Sequence, residues 1–237
     1  MTSPAVSTIG AGRLLANRVL VTLLIAGLAA AWLLPFASMS PNRLASGQSV
    51  ALGGALTIWQ AAGMLVLTVM LGLAALQRPL SRRLAHGVTL TASLALLLIT
   101  LYALGDYAQR TLAERSPSAR VSQGAAFWVI VFCCALAAID TLQRHASGWI
   151  TRLGYAALAG GAVAFLLASG HFRDLSIMRE YANIRDTFSD QLLTHLGLVG
   201  AALGPALAIG VPLGLLAHRR ARVRGTLFSV LNVFQTI

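Results

Sequence analysis

The sequence predicts an all-α polytopic membrane protein: a bundle of six complete transmembrane helices followed by the start of a seventh. Two observations lead to this prediction. Hydrophobic residues make up 57% of the 237-residue chain and charged residues only 11%, whereas soluble domains average about 25% charged residues. The apolar residues are also gathered into runs of about 20, the length that a helix needs to cross a bilayer. Because the bilayer core offers the backbone no hydrogen-bonding partner, such runs are expected to be helical.

The six complete spans follow one another along the chain with short connections between most of them. They are approximately Val19–Ala37, Val50–Leu76, His86–Gly105, Gly124–Leu142, Trp149–Gly170 and Leu196–Ala217. The first run is longer than the apolar region of a signal peptide, which has about 7–15 residues, so it is predicted to be an uncleaved helix. A seventh apolar run begins near Thr226 and stops at Ile237, which is too short to span and is expected to be truncated.

The connection before the sixth span, residues 171–194, has a different pattern. Its apolar residues recur at nearly helical spacing, with Arg, Asp and Glu on the opposite face; they are Phe172, Leu175, Met178, Tyr181, Phe188 and Leu192. This pattern predicts an amphipathic helix on the outer membrane surface. It divides the chain into a five-span N-terminal extension (residues 1–170), a connector (171–194) and a segment rich in Gly and Pro (195–237).

The distribution of arginine predicts the orientation. Cytoplasmic connections carry an excess of basic residues. The N-terminal tail and the second, fourth and sixth connections hold eleven of the 18 basic residues and one acidic residue; the first, third and fifth hold seven basic and six acidic residues. We therefore expect a cytoplasmic N-terminus, and we attribute the net charge of +11 to membrane topology, with no nucleic-acid partner.

Single polar and aromatic residues add detail to this topology. Asp140 falls near the cytoplasmic end of the fourth span, one turn before Arg144, and Asp106 falls at the outer end of the third span. Both are predicted to be interfacial, and an ion pair between Asp140 and Arg144 is expected. Trp32 lies near a span end, where tryptophan is favoured, but Trp59 falls inside the second predicted span.

No catalytic or metal-binding pattern occurs in the sequence. It has no P-loop, HExxH or GxSxG motif, and no histidine has a second histidine or a cysteine three or four residues away. Cys133 and Cys134 are adjacent, a geometry that rarely permits a disulfide. We therefore predict no catalytic, cofactor-binding or metal-binding residue, and a protein that is not an enzyme.

The most distinctive patterns lie in the last 43 residues. Gly210, Pro212 and Gly214 belong to the sixth span, which its prolines are expected to bend because proline removes a backbone hydrogen bond. A basic cluster follows, Arg219, Arg220, Arg222 and Arg224. Such a cluster is typical of a cytoplasmic anchor or of a contact with lipid phosphates.

These patterns resemble the start of the permease domain of binding-protein-dependent ABC importers, above all the osmoprotectant importers for glycine betaine, choline and carnitine. Residues 209–214 match the Ile-Gly-Val-Pro-Leu-Gly pattern of the family's first core helix, and the basic cytoplasmic loop comes next. Asn232, Gln235, Thr236 and Ile237 match the Asn-x-x-Gln-Thr-Ile element of the following helix. The spans before this core are similar to those of low-affinity betaine-type permeases, which carry extra N-terminal helices.

The resemblance implies a permease subunit of the bacterial inner membrane for an osmoprotectant such as glycine betaine. The implied partners are an ABC ATPase subunit that binds the ATP, an extracytoplasmic substrate-binding protein, a second permease in a homo- or heterodimer, and membrane lipid. The family's Glu-Ala-Ala loop, which forms the coupling helix that docks on the ATPase, does not occur in the sequence. The chain is therefore expected to be an N-terminal portion that does not transport by itself.

Two other functions remain open at this point. The five N-terminal spans could form a stand-alone membrane scaffold or regulator. A small integral-membrane enzyme is the third hypothesis, although it requires paired acids or a Ser/His set that the sequence does not offer.

Overall fold

The computed structural model describes residues 17–76, 81–116, 118–144 and 148–220, together with six residues between 224 and 232. The named elements within them are α1 (Arg18–Leu33), β1 (Ala37–Ser40), β2 (Gln48–Val50), α2 (Leu52–Ala55), α3 (Ile58–Leu76), α4 (Arg82–Ala113), β3 (Arg120–Gln123), α5 (Ala125–Arg144), α6 (Trp149–Ala168) and α7 (Ser176–Arg219). The chain divides into two compact units, Met1–Glu180 and Tyr181–Ile237.

The first unit is a helical bundle closed at one end by a small sheet. Helix α3 packs along α4, and both α1 and α4 pack along α5, whereas α6 contacts α4. Two clusters of buried apolar residues fill the unit. One surrounds Phe36, Leu104 and Val121 at the end that holds the sheet, and the other lies deeper in the bundle around Leu71 and Leu96.

Helix α1 is shorter than the predicted first span. It ends at Leu33 after 16 residues, which is about 24 Å, against a hydrocarbon core of about 30 Å. Leu34 is extended, with φ −113° and ψ 151°. The cause is Pro35, because the ring of a proline disfavours helical dihedrals at the residue before it.

The predicted second span, Val50–Leu76, is wrong at its start. Its first residues belong to β2 and to the one-turn helix α2, and α3 begins only at Ile58. Thr57 and Gln60 form a capping box: Gln60 N donates to Thr57 Oγ1 at 3.4 Å and Thr57 N donates to Gln60 Oε1 at 2.8 Å. Because this box begins the helix, Trp59 lies in the first turn, 83% exposed, and not in the interior of a span.

The three strands, which the sequence did not predict, form an antiparallel sheet in the order β2-β1-β3. Ser38 in the central strand pairs with Ser49 on one side and with Ser122 on the other. Val121 also forms an isolated parallel bridge with Leu175. The sheet therefore joins the first, third and fifth connections of the predicted topology.

The predicted count of six complete spans is not confirmed. Five described helices, α3 to α7, are long and apolar enough to cross a membrane, and α1 is a shorter apolar helix. The predicted fourth and fifth spans agree closely with α5 and α6. Helix α4 extends to Ala113, eight residues beyond its predicted end, since neither glycine nor proline interrupts the chain between Asp106 and Ala113.

The predicted surface helix and sixth span form one helix. Helix α7 runs without interruption from Ser176 to Arg219, over 44 residues. Between Ser176 and Gly197 the sequence contains neither glycine nor proline, so no residue in this stretch favours a break. Pro205 and Pro212 lie within the helix. The predicted division into residues 1–170, 171–194 and 195–237 stays a prediction.

We expect Gly124→Ala to destabilise the first unit by about 1–3 kcal/mol, the cost of forcing a methyl group into a packed site. A Cβ at Gly124 would lie 2.1 Å from the carbonyl oxygen of Pro35, and this neighbour is backbone that has no rotamer to change. The apparent melting temperature in detergent measures the effect. Gly72→Ala in α3 is the control, because no atom lies within 4 Å of its added Cβ. Equal melting temperatures for the two variants would contradict the close packing of Gly124 on Pro35.

Candidate functional site

Helices α3 and α4 bring three polar side chains together at the sheet end of the first unit. Asp106 Oδ2 accepts hydrogen bonds from Gln60 Nε2 at 2.8 Å and from Arg110 Nε at 3.0 Å. Arg110 Nη2 also donates to the carbonyl oxygen of Ala55 at 3.0 Å. Asp106 thus connects α3 to α4, and its partner Arg110 connects α4 to α2. The sequence predicts Asp106 at a helix end near the membrane surface, and the residue lies beside the first turn of α3.

Sequence reasoning missed the role of Gln60. This side chain is buried, caps α3 and reaches Asp106 with its amide group. The signal that could have revealed it is the Thr-x-x-Gln spacing from Thr57, which is the pattern of a capping box. The long apolar run from Val50 hides that signal, because the whole run has the length and composition of one helix.

His171, at the start of the fifth connection, packs against α4 and forms hydrogen bonds with it. Its Nε2 lies 2.8 Å from the carbonyl oxygen of Tyr102, and because a carbonyl only accepts, Nε2 carries the hydrogen. The imidazole ring stacks on the Tyr102 ring with 4.3 Å between centroids. The backbone carbonyl of His171 accepts from Gln109 Nε2 at 2.8 Å. This close approach requires Gly105, since a Cβ there would lie 2.4 Å from the imidazole Cδ2.

Two further contacts connect the loops at the sheet end. Arg43 Nη2 pairs with Glu180 Oε2 at 3.2 Å, which joins the first connection to the start of α7 within the first unit. Arg179 Nη1 donates to the carbonyl oxygen of Ala119 at 3.0 Å, which joins the third connection to the same turn. The Arg43 side chain is 73% exposed, so its ion pair adds little stability.

A second polar cluster lies at the opposite end of the first unit. Asn17 caps α1 by accepting from Leu20 N at 3.1 Å, and its Nδ2 donates to Asp140 Oδ2 at 3.3 Å. The backbone N–H of Asn17 donates to the carbonyl oxygen of Ala75 at 3.4 Å. The predicted pair between Asp140 and Arg144 is confirmed at 2.7 Å. This cluster joins the start of α1 to the ends of α3 and α5.

The contacts at the two ends of the first unit agree with the grouping of connections that the arginine count predicts. The first, third and fifth connections meet at the sheet, and the tail before α1 meets the ends of α3 and α5. Within the first unit, the first, third and fifth connections therefore share one end, and the tail before α1 lies at the other. Which end faces the cytoplasm stays a prediction.

The predicted permease-core residues of the second unit lie on α7. Gly210, Pro212 and Gly214 are all within the helix. Gly210 and Gly214 line a cavity of about 420 Å³, whose other lining residues are Leu213, Ala217, His218, Arg224, Leu227 and Leu231. Since an added Cβ at either glycine meets no atom within 4 Å, both positions offer an open surface for helix packing.

The basic cluster is described in part. Arg219 is the last residue of α7, Arg220 follows it, and both are exposed. Arg224 N donates to the carbonyl oxygen of Arg220 at 3.2 Å, and Asn232 is helical. Arg222, Gln235 and Thr236 lie outside the described residues. The roles of all these residues in a permease core remain predictions.

Among the residues that the structure describes, no group of three His, Cys, Asp or Glu side chains could hold a metal ion. Cys133 and Cys134 carry free thiols.

Comparison with known protein families gives a match to the first unit. The family model described as ABC transporter permease YehY, N-terminal domain, matches residues 17–178, which is more than half of the chain. The match covers most of the first compact unit, which ends at Glu180. The glycine- and proline-rich part of α7 lies outside it. No curated protein and no solved structure matches the chain.

We expect a cross-strand disulfide between Ser38→Cys and Ser122→Cys in a chain whose two native cysteines are replaced by alanine. Residues directly opposite each other in an antiparallel pair have Cα atoms about 4.5–5.5 Å apart, within the disulfide range. Spontaneous oxidation in intact cells is expected if the sheet faces the oxidising periplasm. Maleimide–polyethylene glycol labelling of the denatured protein counts the remaining free thiols.

The control for this pair is Ser38→Cys with Gln123→Cys. Neighbouring residues of a strand point to opposite faces of a sheet, so this pair should stay reduced. Disulfide formation by the control pair, or none by Ser38 and Ser122 even with added oxidant, would show that the register is wrong. A disulfide that needs an oxidant supplied from the cytoplasmic side would reverse the orientation.

We expect Asp106→Ala to lower the free energy of unfolding by about 1–3 kcal/mol, because it leaves the buried amide of Gln60 without its acceptor. Arg43→Ala is the matched control: it removes an exposed ion pair and should cost less than about 1 kcal/mol. Unfolding by denaturant in detergent micelles measures both. An equal loss in the two variants would mean that Asp106 does not organise the sheet end.

Proposed function

Because the chain belongs to the family of the ABC transporter permease YehY N-terminal domain, we propose that it works in an importer of osmoprotectants such as glycine betaine. Proteins of this family are multi-pass membrane subunits of the inner membrane. They are parts of transporters and depend on an ATPase subunit for ATP hydrolysis. Beyond these properties of the family, we propose the substrate class, the extracytoplasmic binding protein as a partner and the orientation in the membrane.

The observation that supports the proposal best is the agreement of two separate stretches of the chain. The family match ends at residue 178. The Ile-Gly-Val-Pro-Leu-Gly pattern at 209–214 and the Asn-x-x-Gln-Thr-Ile pattern at 232–237 lie beyond it. Both stretches point to ABC transporter permeases, although they share no residue. The second stretch supports the osmoprotectant class.

In this proposal the first unit is the N-terminal domain of the permease subunit, and α7 begins the permease core. Pro205 and Pro212 lie within α7, where each lacks the N–H that an interior helical residue donates. Transporters commonly carry prolines within their helices, because the carbonyls that lose a hydrogen-bond donor there can line a pathway. Gly210 and Gly214 provide close approach for neighbouring helices of the core.

The charges support the proposed orientation. Arg219 ends α7, and Arg220 and Arg224 follow it; a basic connection favours the cytoplasm. In the proposed orientation they lie on the side of the ATPase subunit. The first, third and fifth connections hold the fewer arginines, so in this orientation the sheet end of the first unit, with the pair of Arg43 and Glu180, faces the extracytoplasmic binding protein. The N-terminus is cytoplasmic, and two permease subunits form a homo- or heterodimer.

The test is uptake of radiolabelled glycine betaine by cells in which the permease that contains this chain is the sole route for this solute. We expect uptake that needs the ATPase subunit and that unlabelled choline or carnitine reduces by competition. Gly214→Leu should abolish uptake, because its side chain fills the surface at which the core helices approach. Gly197→Leu is the control. Gly197 lies on the same helix outside the motif, and a Cβ added there also meets no atom within 4 Å, so this variant should transport normally.

Membrane levels of the two variants are compared by immunoblot, so that a loss of uptake is not a loss of protein. Uptake that continues without the ATPase subunit would refute the importer mechanism. Uptake of an unrelated solute with no response to betaine, choline or carnitine would refute the osmoprotectant class alone.

A further inference from the structure

The first unit contains a cavity of about 240 Å³ between α1 and α3. Helix α1 packs mainly on α5, and α3 packs mainly on α4, so these two helices leave a gap between them. Residues of α4 and α5 form its floor. The lining includes Leu24, Gly27, Met64, Thr68, Leu96 and Cys133.

The lining is almost wholly apolar and offers little to water or to a polar solute. Among its lining residues, Thr68 carries the one side-chain hydroxyl, and this group donates to the carbonyl oxygen of Met64 at 2.8 Å. No charged side chain lines the cavity. A buried water needs two to four polar partners, and a charged solute needs a counter-charge. The cavity therefore suits a hydrocarbon and not the proposed substrate.

The cavity lies between two fixed points along α1. At one end the backbone of Asn17 contacts that of Ala75 at the end of α3. At the other end the lining includes Leu52 of α2 and Trp32 of α1. Trp32 is 86% exposed, as expected for a tryptophan at the membrane surface. The gap between these points is thus at the depth of the acyl chains.

The rims of the cavity face outward from the bundle. Leu28 on α1 and Leu65 on α3 line it and are 47% and 66% exposed. In a membrane protein, exposed leucines on apolar helices contact lipid, so the opening between the two rims leads to the hydrocarbon of the bilayer. Lipid chains are therefore the molecules that surround this entrance.

We propose that one acyl chain of a membrane phospholipid occupies this cavity, entering between α1 and α3. The volume is suitable: an apolar cavity of about 150 Å³ holds a benzene molecule, and this one is larger and open on one side. A single turn of a partner helix, about 10–12 Å across and about 5.4 Å long, already exceeds the volume of this cavity. The acyl chain fills a void that would otherwise leave the atoms lining the cavity without packing partners.

The test uses the full chain in vesicles of phosphatidylcholine that carries a diazirine in the middle of one acyl chain. The protein is extracted in detergent, washed to remove loosely bound lipid, and then illuminated, and adducts are mapped by mass spectrometry of peptides. We expect adducts on the segments of α1 and α3 around Gly27 and Met64. Leu158 and Phe165 of α6 are exposed and serve as the comparison. Washing should remove the lipid in contact with them, so few adducts are expected there.

Gly27→Phe should abolish the cavity adduct. A Cβ added at Gly27 would meet only Cys133 Cβ, at 4.0 Å, so the ring can enter the cavity without striking backbone. Gly72→Phe is the control, because Gly72 is a helical glycine of α3 that does not line the cavity, and its adduct should remain. If Gly27→Phe fails to fold, Ala61→Leu, which also narrows the cavity, provides the same test.

Three results would overturn the proposal. The first is washed protein with as much adduct on α6 as in the cavity, which would mean only general contact with lipid. The second is an adduct that persists in the folded cavity-filling variant. The third is a small apolar molecule or a partner peptide, and not phospholipid, that co-purifies at the cavity.

Discussion

The pairing of β1 with both β2 and β3 is the constraint on which the rest of the first unit depends. Phe36 N donates to the carbonyl oxygen of Val50 at 2.8 Å, and its own carbonyl accepts from Gly124 N at 2.8 Å. These bonds fix the end of α1 beside the segment that leads into α3 and the start of α5. Phe36 is fully buried, so the same residue links the backbone pairing to the apolar core.

Polar contacts at the opposite end complete this arrangement. Asn17 joins the start of α1 to α3 and α5, while the sheet joins the other ends of these helices. Between the two ends, α1 and α3 are held mainly by different neighbours. A gap between two helices that are fixed at both ends cannot close by a simple tilt, and this explains why the apolar cavity lies between them.

The fold and the candidate function were predictable to different extents. Apolar run length alone placed α5 and α6, and the arginine count grouped the connections, because both depend on contact with the membrane and its surfaces. The ion pair of Asp140 and Arg144 followed from helical spacing. The start of α3 was missed because the Thr57–Gln60 capping box lies within an apolar run. The motif from Gly210 to Gly214 indicates an importer by resemblance alone. Its proposed role in helix packing depends on contacts with other helices of the core.

The sequence by itself determined that the chain consists mainly of apolar helices and which connections of the first unit share an end, since each of these properties depends on single residues and their neighbours in the chain. The tertiary structure alone decided the three-stranded sheet, the place of Gln60 beside Asp106 and the stacking of His171 on Tyr102. Strands of three or four residues have no periodicity strong enough to detect. They form here because segments distant in the chain meet and satisfy one another's backbone hydrogen bonds.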